Sequence, residues 1–296
     1  MSDPLTEEEK EFFVQNGWLH LKGCFTREQA EAITGNVWER LGMNPNDKST
    51  WTQDKIHMPG EKTFNAQEFA PKAWAAICEL CGGEDRILDS AKWWQDALIV
   101  NLGSAEKEGQ QESPHDLWGW HVDGDFFVHY LDSPEQGLLV IPLFTDIAPG
   151  AGGTVICPEA MPILAKHLYD NPAGVSPLMD PRDSPDFRNI EIGKHTSRYS
   201  DIAHGCVNFV EACGDVGDIF LLHPLILHSA SNNNLRHLRI ITNPPVGLKE
   251  PFKFFRPQGN YSLVEWATMR ALGRDNLEGW AITHPREGMT PPRLRG

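Results

Sequence analysis

The spacing of apolar and polar positions changes partway along the chain. In the first third, apolar residues recur at helical spacing between capping and stop signals. Thr6 is a candidate N-cap, acidic residues fill the turn after it, and Gly17 supplies a stop. Trp18 to Leu21 then reads as a short strand. "TREQAEAITGNVWERLG" predicts a helix closed by Gly42, and "PKAWAAICELCGG" predicts another. From about Ile87 the runs become short and β-rich: "ALIVNL", "LLVIPLF", "GTVICP", "CVNFVEA", "DIFLLHPLILH" and "RIITNPPV", separated by Gly, Pro, Asp and Asn. Many short strands with turn signals between them predict a sandwich or barrel rather than alternating βα units. Pro172 to Ser200 is proline-rich and polar and reads as a long loop over one face. "YSLVEWATMRALG" predicts a C-terminal helix, and "HPREGMTPPRLRG" a loose, locally basic tail.

The expected organisation is one domain over residues 1–296: a mostly helical layer (1–86), a β core (87–250), and a C-terminal helix with its tail (251–296). A β-rich domain can use a chain of 296 residues, and 40% hydrophobic content supplies its core. There is no internal repeat, no GxGxxG and no Walker loop. With 26 Lys and Arg against 41 Asp and Glu, the net charge of −15 argues against nucleic acid and anionic membranes as partners. A small-molecule substrate is expected, and a monomer or homodimer. The opening "MSDPLTEEEKEFF" lacks the basic and apolar regions of a signal peptide, and no run approaches the roughly eighteen apolar residues that cross a bilayer. The expected setting is the cytoplasm, with six reduced cysteines. "CELC" at Cys78–Cys81 has metal spacing, but a second CxxC pair is missing.

The chemistry concentrates in "WGWHVDGDFFVHY", Trp118 to Tyr130. On a strand, His121 and Asp123 leave from the same face and converge on one point. A lone HxD arises by chance in a chain with this many histidines and aspartates. A second segment raises its weight: "GDVGDIFLLHPLILHSASNNNLRHLRIITN" carries His228 at the end of an apolar run, a polar turn Ser231–Asn234, and a strand bearing Arg239. Two histidines and one carboxylate on a face leave coordination positions open, which suits non-haem Fe(II) binding a chelating cosubstrate together with O2. Arg239, across a hairpin-like turn from His228, is a bidentate partner for the cosubstrate's remote carboxylate. His223 competes with His228 as third ligand. Five residues apart on a regular strand they face opposite sides, although Pro224 could introduce a bulge. His228 is favoured, and His223 reads as a packing histidine. By the same alternation Trp118 and Trp120 point outward against the helical layer, and Asp125 and Phe127 point inward, as substrate-side or packing residues. His129 could line the same cavity.

HxD, a distant His in "ILHSASNN" and an Arg eleven residues on resemble the phytanoyl-CoA dioxygenase (PhyH)-like family of Fe(II)/2-oxoglutarate oxygenases. The resemblance covers about Ala97 to Val246, with "DSPEQGLLVIPLFTDI" and "GAGGTVICP" similar to that family's strand-loop-strand and "NGWLHLKGCFTREQAEAI" to its entry segment. It implies a double-stranded β-helix (jelly roll, cupin-like) core packed against N-terminal helices, mainly β with flanking helices. It also implies that His121, Asp123 and His228 bind the metal as the catalytic centre, that Arg239 anchors 2-oxoglutarate, and that Thr154 adds a hydrogen bond. Members often carry a glutamine two residues before the HxD histidine. Here that position is Gly119, so either Asn101 takes over the contact or the space is left for substrate.

The expected activity is a dioxygenase oxidising a C–H bond of a small molecule, by hydroxylation or by desaturation or cyclisation, with release of succinate and CO2. The alternatives are a jelly-roll hydrolase or isomerase using Zn or Mn as Lewis acid, against which Arg239 counts, and a β-barrel binding module with a residual cluster.

Overall fold

In the computed structural model, described for residues 4–189 and 192–291, helices flank a set of short antiparallel sheets. Of the basic tail expected at the C-terminus, residues 292–296 lie outside the described part, as do 190 and 191 of the expected long loop. Helix α1 (Glu7–Asn16) begins at Thr6 with a reciprocal capping box to Glu9 and ends at Gly17, whose φ of 74° places it in the left-handed region. Gly17 is doubly required, because a Cβ there would meet Met161 Sδ at 2.7 Å. Strand β1 (Trp18–Leu21) follows, with Leu19 and Leu21 turned into the core. The helix expected over "TREQAEAITGNVWERLG" is two, α2 (Arg27–Thr34) and α3 (Val37–Leu41), because Gly35 and Asn36 interrupt it. Then come β2 (Lys55–His57), β3 (Thr63–Asn65), α4 (Ala66–Phe69), α5 (Pro71–Cys81), β4 (Trp93–Gln95) and β5 (Ile99–Asn101). All six cysteines are free, Cys78 and Cys81 included.

The second half supplies β6 (Leu138–Pro142), β7 (Thr154–Cys157), α6 (Ala160–Asp170), α7 (Ile192–His204), β8 (Val210–Glu211), β9 (Ile219–Leu222), β10 (Leu227–Ala230), β11 (Arg239–Ile241), β12 (Pro245–Val246) and α8 (Leu263–Ala271). The sheets are β1-β9-β6-β12, β10-β7-β8, β11-β5-β2 and the hairpin β3-β4. Bridges such as Leu143 to Ile241 stitch β6's continuation onto β11. The result is mainly β with flanking helices, a jelly-roll arrangement of antiparallel sheets. Every residue of β6 and β9 is buried, as in strands covered on both faces.

Two expectations need correction, and one helix was not foreseen. The stretch Pro172–Ser200 is not loop throughout, since α7 begins at Ile192; Gly193 and the polar run "KHTS" give it weak helix propensity. Helix α6 was hidden by Pro162, which sits in the first turn, where a missing N–H costs nothing. "DIFLLHPLILH" is two strands, because the chain turns at His223–Ile226, closed by Ile226 N–H donating to His223 O at 2.9 Å. No helix among the described residues is long and apolar enough to cross a membrane.

Helix α8 packs on α1, α5 and α6 and carries the most enclosed charge of the helical layer. The Glu265 side chain is fully buried and accepts from Arg86 Nη2 at 2.7 Å, Arg256 Nη2 at 3.0 Å and the amides of Lys253 and Ser262 at 2.7 and 2.8 Å. Burial opposes its ionisation, but these donors, Arg86 foremost, hold its carboxyl below the usual range. Glu265→Ala leaves two guanidinium groups facing a gap, and is expected to cost about 3–5 kcal/mol of stability in a denaturant titration.

Candidate metal centre

The chain from Trp118 to Val122 runs extended along the free edge of β10. His121 N–H donates to His228 O at 2.9 Å and His228 N–H to His121 O at 3.0 Å, an antiparallel pair that sets the two side chains opposite each other on one face. Their ring centroids are 4.3 Å apart. Asp123, two residues on, shares that face, and its Oδ1 lies 3.4 Å from His121 Nε2 and 3.6 Å from His228 Nε2. Among the described residues this is the one group of His, Cys, Asp or Glu with a ligand atom from each within 4.8 Å of the others. A divalent ion at ~2.1 Å from each ligand needs them ~3 to 3.5 Å apart. The tautomers also suit an ion. His121 Nδ1 lies 2.7 Å from Gly119 O and His228 Nδ1 lies 3.1 Å from Ile226 O. A carbonyl can only accept, so both neutral rings carry hydrogen on Nδ1 and turn an Nε2 lone pair toward Asp123. Burial works against charge on Asp123, yet His121 and His228 hold its carboxyl far below the usual range. Burial likewise resists charge on His121, and Asp123 more than offsets it, raising that ring above the ordinary histidine value.

After Asp123 the chain bends at Gly124, with φ of 113°. A Cβ at Gly124 would meet the Phe127 ring at 2.5 Å and His129 Cε1 at 2.9 Å. The bend breaks the alternation on which the inward assignment of Asp125, Phe127 and His129 rested. Asp125 borders the main cavity; Phe127 and His129 do not. Those two rings stack at 4.4 Å behind it, and His129 Nε2–H donates to Gly124 O at 2.7 Å. Their rings pack on each other, and the His129 bond closes the bend at Gly124.

Arg239 begins β11, while His228 lies on β10, which pairs with β7. The two strands are therefore in different sheets and not a hairpin. The sheets meet where Arg239 Nη2 donates to Thr154 Oγ1 at 3.0 Å. Thr154 opposes Ala230 in register and so lies on the His228 face, two residues or ~7 Å along the strand. Arg239 is 2% exposed, with no carboxylate within 4.0 Å among the described residues and no partner for its Nε. Burial lowers it to about 10, a large fall for a guanidinium. Asn101 faces Arg239 in register, but its amide is engaged with the backbone, donating to Ser231 O at 3.0 Å and accepting from Gly103 N–H at 3.2 Å. It ties down the turn after β10.

A cavity of about 700 Å³ opens beside the trio, with His121 at its inner wall and 46% of that side chain exposed. Gly119 lies on the same wall, and a Cβ there would meet Ser229 Oγ at 3.2 Å. Trp118, expected to pack against the helices, is 72% exposed and borders the cavity mouth; Trp120 is buried against Phe209. The extended segment covers the β10 edge with one face only, which leaves Trp118 outside the core. Sequence reasoning missed His57 on β2, Glu135 in the turn before β6, Leu178 and Tyr199, all on the cavity wall. Nothing in their spacing singles them out, although Glu135 falls within "DSPEQG". His223 is elsewhere: its Nδ1 accepts from Leu225 N–H at 3.1 Å and its Nε2 meets Thr268 Oγ1 at 2.9 Å.

No protein-family model and no curated protein matches the chain. Solved structures do. HygX from Streptomyces hygroscopicus, with nickel, 2-oxoglutarate and hygromycin B bound, is 12% identical with a TM-score of 0.44, over 83% of this chain and 88% of that one. EctD from S. alaskensis, with 2-oxoglutarate and 5-hydroxyectoine, is 14% identical with a TM-score of 0.43, over 81% and 75%. The epimerase SnoN, in complex with Fe3+, alpha ketoglutarate and nogalamycin RO, is 15% identical with a TM-score of 0.39, over 97% and 96%.

The buried His223 gives a pH signature. Burial depresses it from the ordinary 6.5 to about 3, so on acidification the unfolded chain takes a proton that the folded chain refuses. Its contribution to stability is lost as pH falls from about 6.5 toward 3. Melting temperatures measured from pH 7 to 5 should decline, and more shallowly in His223→Gln. Parallel declines in the two proteins would exclude His223 as the cause.

Proposed function

We propose that this chain is a non-haem Fe(II)- and 2-oxoglutarate-dependent dioxygenase of the phytanoyl-CoA dioxygenase-like kind, oxidising a C–H bond of a small molecule. His121, Asp123 and His228 would hold the iron, and Arg239 with Thr154 would hold the far carboxylate of 2-oxoglutarate. The carrying observation is the pairing of two features: a two-histidine, one-carboxylate cluster, and a buried guanidinium with no carboxylate within 4.0 Å among the described residues, bonded to Thr154, which lies ~7 Å along the strand face from His228. A buried charge left alone is costly, and a short dicarboxylate that chelates the metal at one end supplies the missing anion at the other. A hydrolytic or isomerising Lewis-acid site has use for the trio but none for Arg239.

The ion would supply the redox chemistry: with O2, oxidative decarboxylation of 2-oxoglutarate to succinate and CO2, coupled to oxidation of the substrate. The chain's own contribution is positioning. Gly119 O and Ile226 O fix the two imidazole tautomers. Asp123 balances part of the ion's charge, and the adjoining cavity keeps the reacting C–H bond away from bulk water. We read the whole of 1–296 as one catalytic domain and its setting as cytoplasmic, where its six free cysteines stay thiols.

Anaerobic addition of Fe(II) and 2-oxoglutarate should give a weak visible charge-transfer band, which zinc cannot give. Succinate release should be abolished in His121→Ala, Asp123→Ala and His228→Ala and kept in His223→Ala. Arg239→Leu should raise the KM for 2-oxoglutarate by about 30-fold or more, the cost of removing one partner of a buried charged hydrogen bond. A zinc-loaded protein that hydrolyses esters and ignores 2-oxoglutarate would instead establish the Lewis-acid reading.

A further inference from the structure

Helix α7 reaches the segment carrying His121 and Asp123 at two places. At the helix's C-terminal end, His204 Nε2–H donates to His115 O at 2.7 Å and His115 Nε2–H to Cys206 O at 2.9 Å, which ties down the chain just before Trp118. The second contact falls between the two ligands. His121 spends both backbone groups on His228, so the amide of Val122 points away from β10. Tyr199 of α7 stands on that side, 1% exposed. Its hydroxyl oxygen accepts from Val122 N–H, and its own hydrogen is donated to Pro177 O at 2.8 Å. Burial pushes the phenol further above the ordinary tyrosine range, so at neutral pH it keeps that hydrogen. Pro177, Leu178 and Tyr199 share the cavity wall with His121, Val122 and Asp123.

Pro177 is a firm attachment point. It lies in the tight turn Ser176–Met179, closed by Met179 N–H donating to Ser176 O at 2.8 Å, and Ser176 Oγ accepts from the amides of Leu178 and Asp180 at 3.2 and 3.1 Å. Buried Met179 has φ of 65°, a left-handed conformation that a residue with a side chain keeps only where its surroundings impose it. His167 of α6 donates to Met179 O at 2.8 Å, and Arg198, beside Tyr199, donates to the same carbonyl. Before the turn, Val175 exchanges two backbone hydrogen bonds with His129. We infer that Tyr199 is a positioning residue for the metal centre: its hydroxyl joins the strand carrying His121 and Asp123 to the rigid turn at Pro177. Bridging two backbone groups holds Val122 at a fixed distance from that turn, and with it the ligand on either side. The inference rests on the metal-holding part of the reading above and not on the reaction.

The test uses Co(II), whose visible bands report ligand geometry, titrated anaerobically into the metal-free protein without 2-oxoglutarate. Tyr199→Phe keeps the ring and loses the bridge. It should weaken Co(II) binding about 5-fold or more and alter the position or intensity of the bands, as losing a group that orients a metal ligand does. Tyr130→Phe is the comparison: that side chain is also buried, its hydroxyl donates to Pro285 O at 3.0 Å, and it packs with Val128 and Phe187. Its Co(II) affinity and bands should match the wild type, while the melting temperatures of the two variants fall by similar amounts. In the unaltered protein the Val122 amide should be protected from hydrogen exchange, and rapid exchange there would overturn the assignment without any variant. Unchanged Co(II) affinity and bands in Tyr199→Phe, or an equal change in Tyr130→Phe, would overturn it as well. Wild-type protein that binds no Co(II) would remove the metal centre and this role together. A Tyr199 effect on Co(II) without succinate release from the iron-loaded enzyme sinks only the oxygenase. Succinate release with an unaffected Tyr199→Phe centre sinks only the positioning role.

Discussion

Two backbone hydrogen bonds between His121 and His228 organise everything the site can do. They fasten an otherwise irregular segment to the edge of β10, and because directly opposed residues of an antiparallel pair share a face, they bring two imidazoles to the same point. Asp123 follows by strand geometry alone. The carbonyls of Gly119 and Ile226, each two residues before a histidine, then select the tautomer that leaves Nε2 available. The placement of the two imidazoles and their tautomers therefore have one local origin. Both sit at a sheet edge, where a cavity can open beside them.

The second constraint is electrostatic, and it runs against the chain as a whole. A molecule with net charge −15 buries a guanidinium, Arg239, whose neighbouring hydrogen-bond partner is the neutral hydroxyl of Thr154. The contrast with Glu265 is instructive. There a buried carboxylate is met by two guanidinium groups and two amides, and the charge is settled within the fold. At Arg239 the guanidinium has no carboxylate within 4.0 Å among the described residues, and its Nε is left without a partner.

The helical elements with clear punctuation were legible in the chain, as with Thr6 and Gly17 around α1 and Gly42 after α3. Elements whose signals conflict were not. Pro162 masks α6, and Gly193 with a polar run masks α7. The alternation rule served His121 and Asp123 because the chain is extended there. It failed past Gly124, where a positive φ turns Phe127 and His129 behind the cavity. It failed for Trp118 as well, since alternation states which face a residue takes and says nothing of whether anything covers that face.

By itself the sequence determined what local rules reach: residue chemistry, periodicity, caps, and the shared face of two residues at i and i+2. Those suffice to nominate His121, Asp123, His228 and Arg239. Only the tertiary structure decided that His228 rather than His223 meets the pair, because a turn at His223–Ile226 separates the two histidines into different environments. It alone placed Arg239 in a different sheet from His228, tied to Thr154. It alone put His57, Glu135 and Tyr199 around one cavity. Contacts between residues a hundred positions apart depend on strand register and sheet packing. Each of those is a property of pairs of segments that neither segment encodes alone.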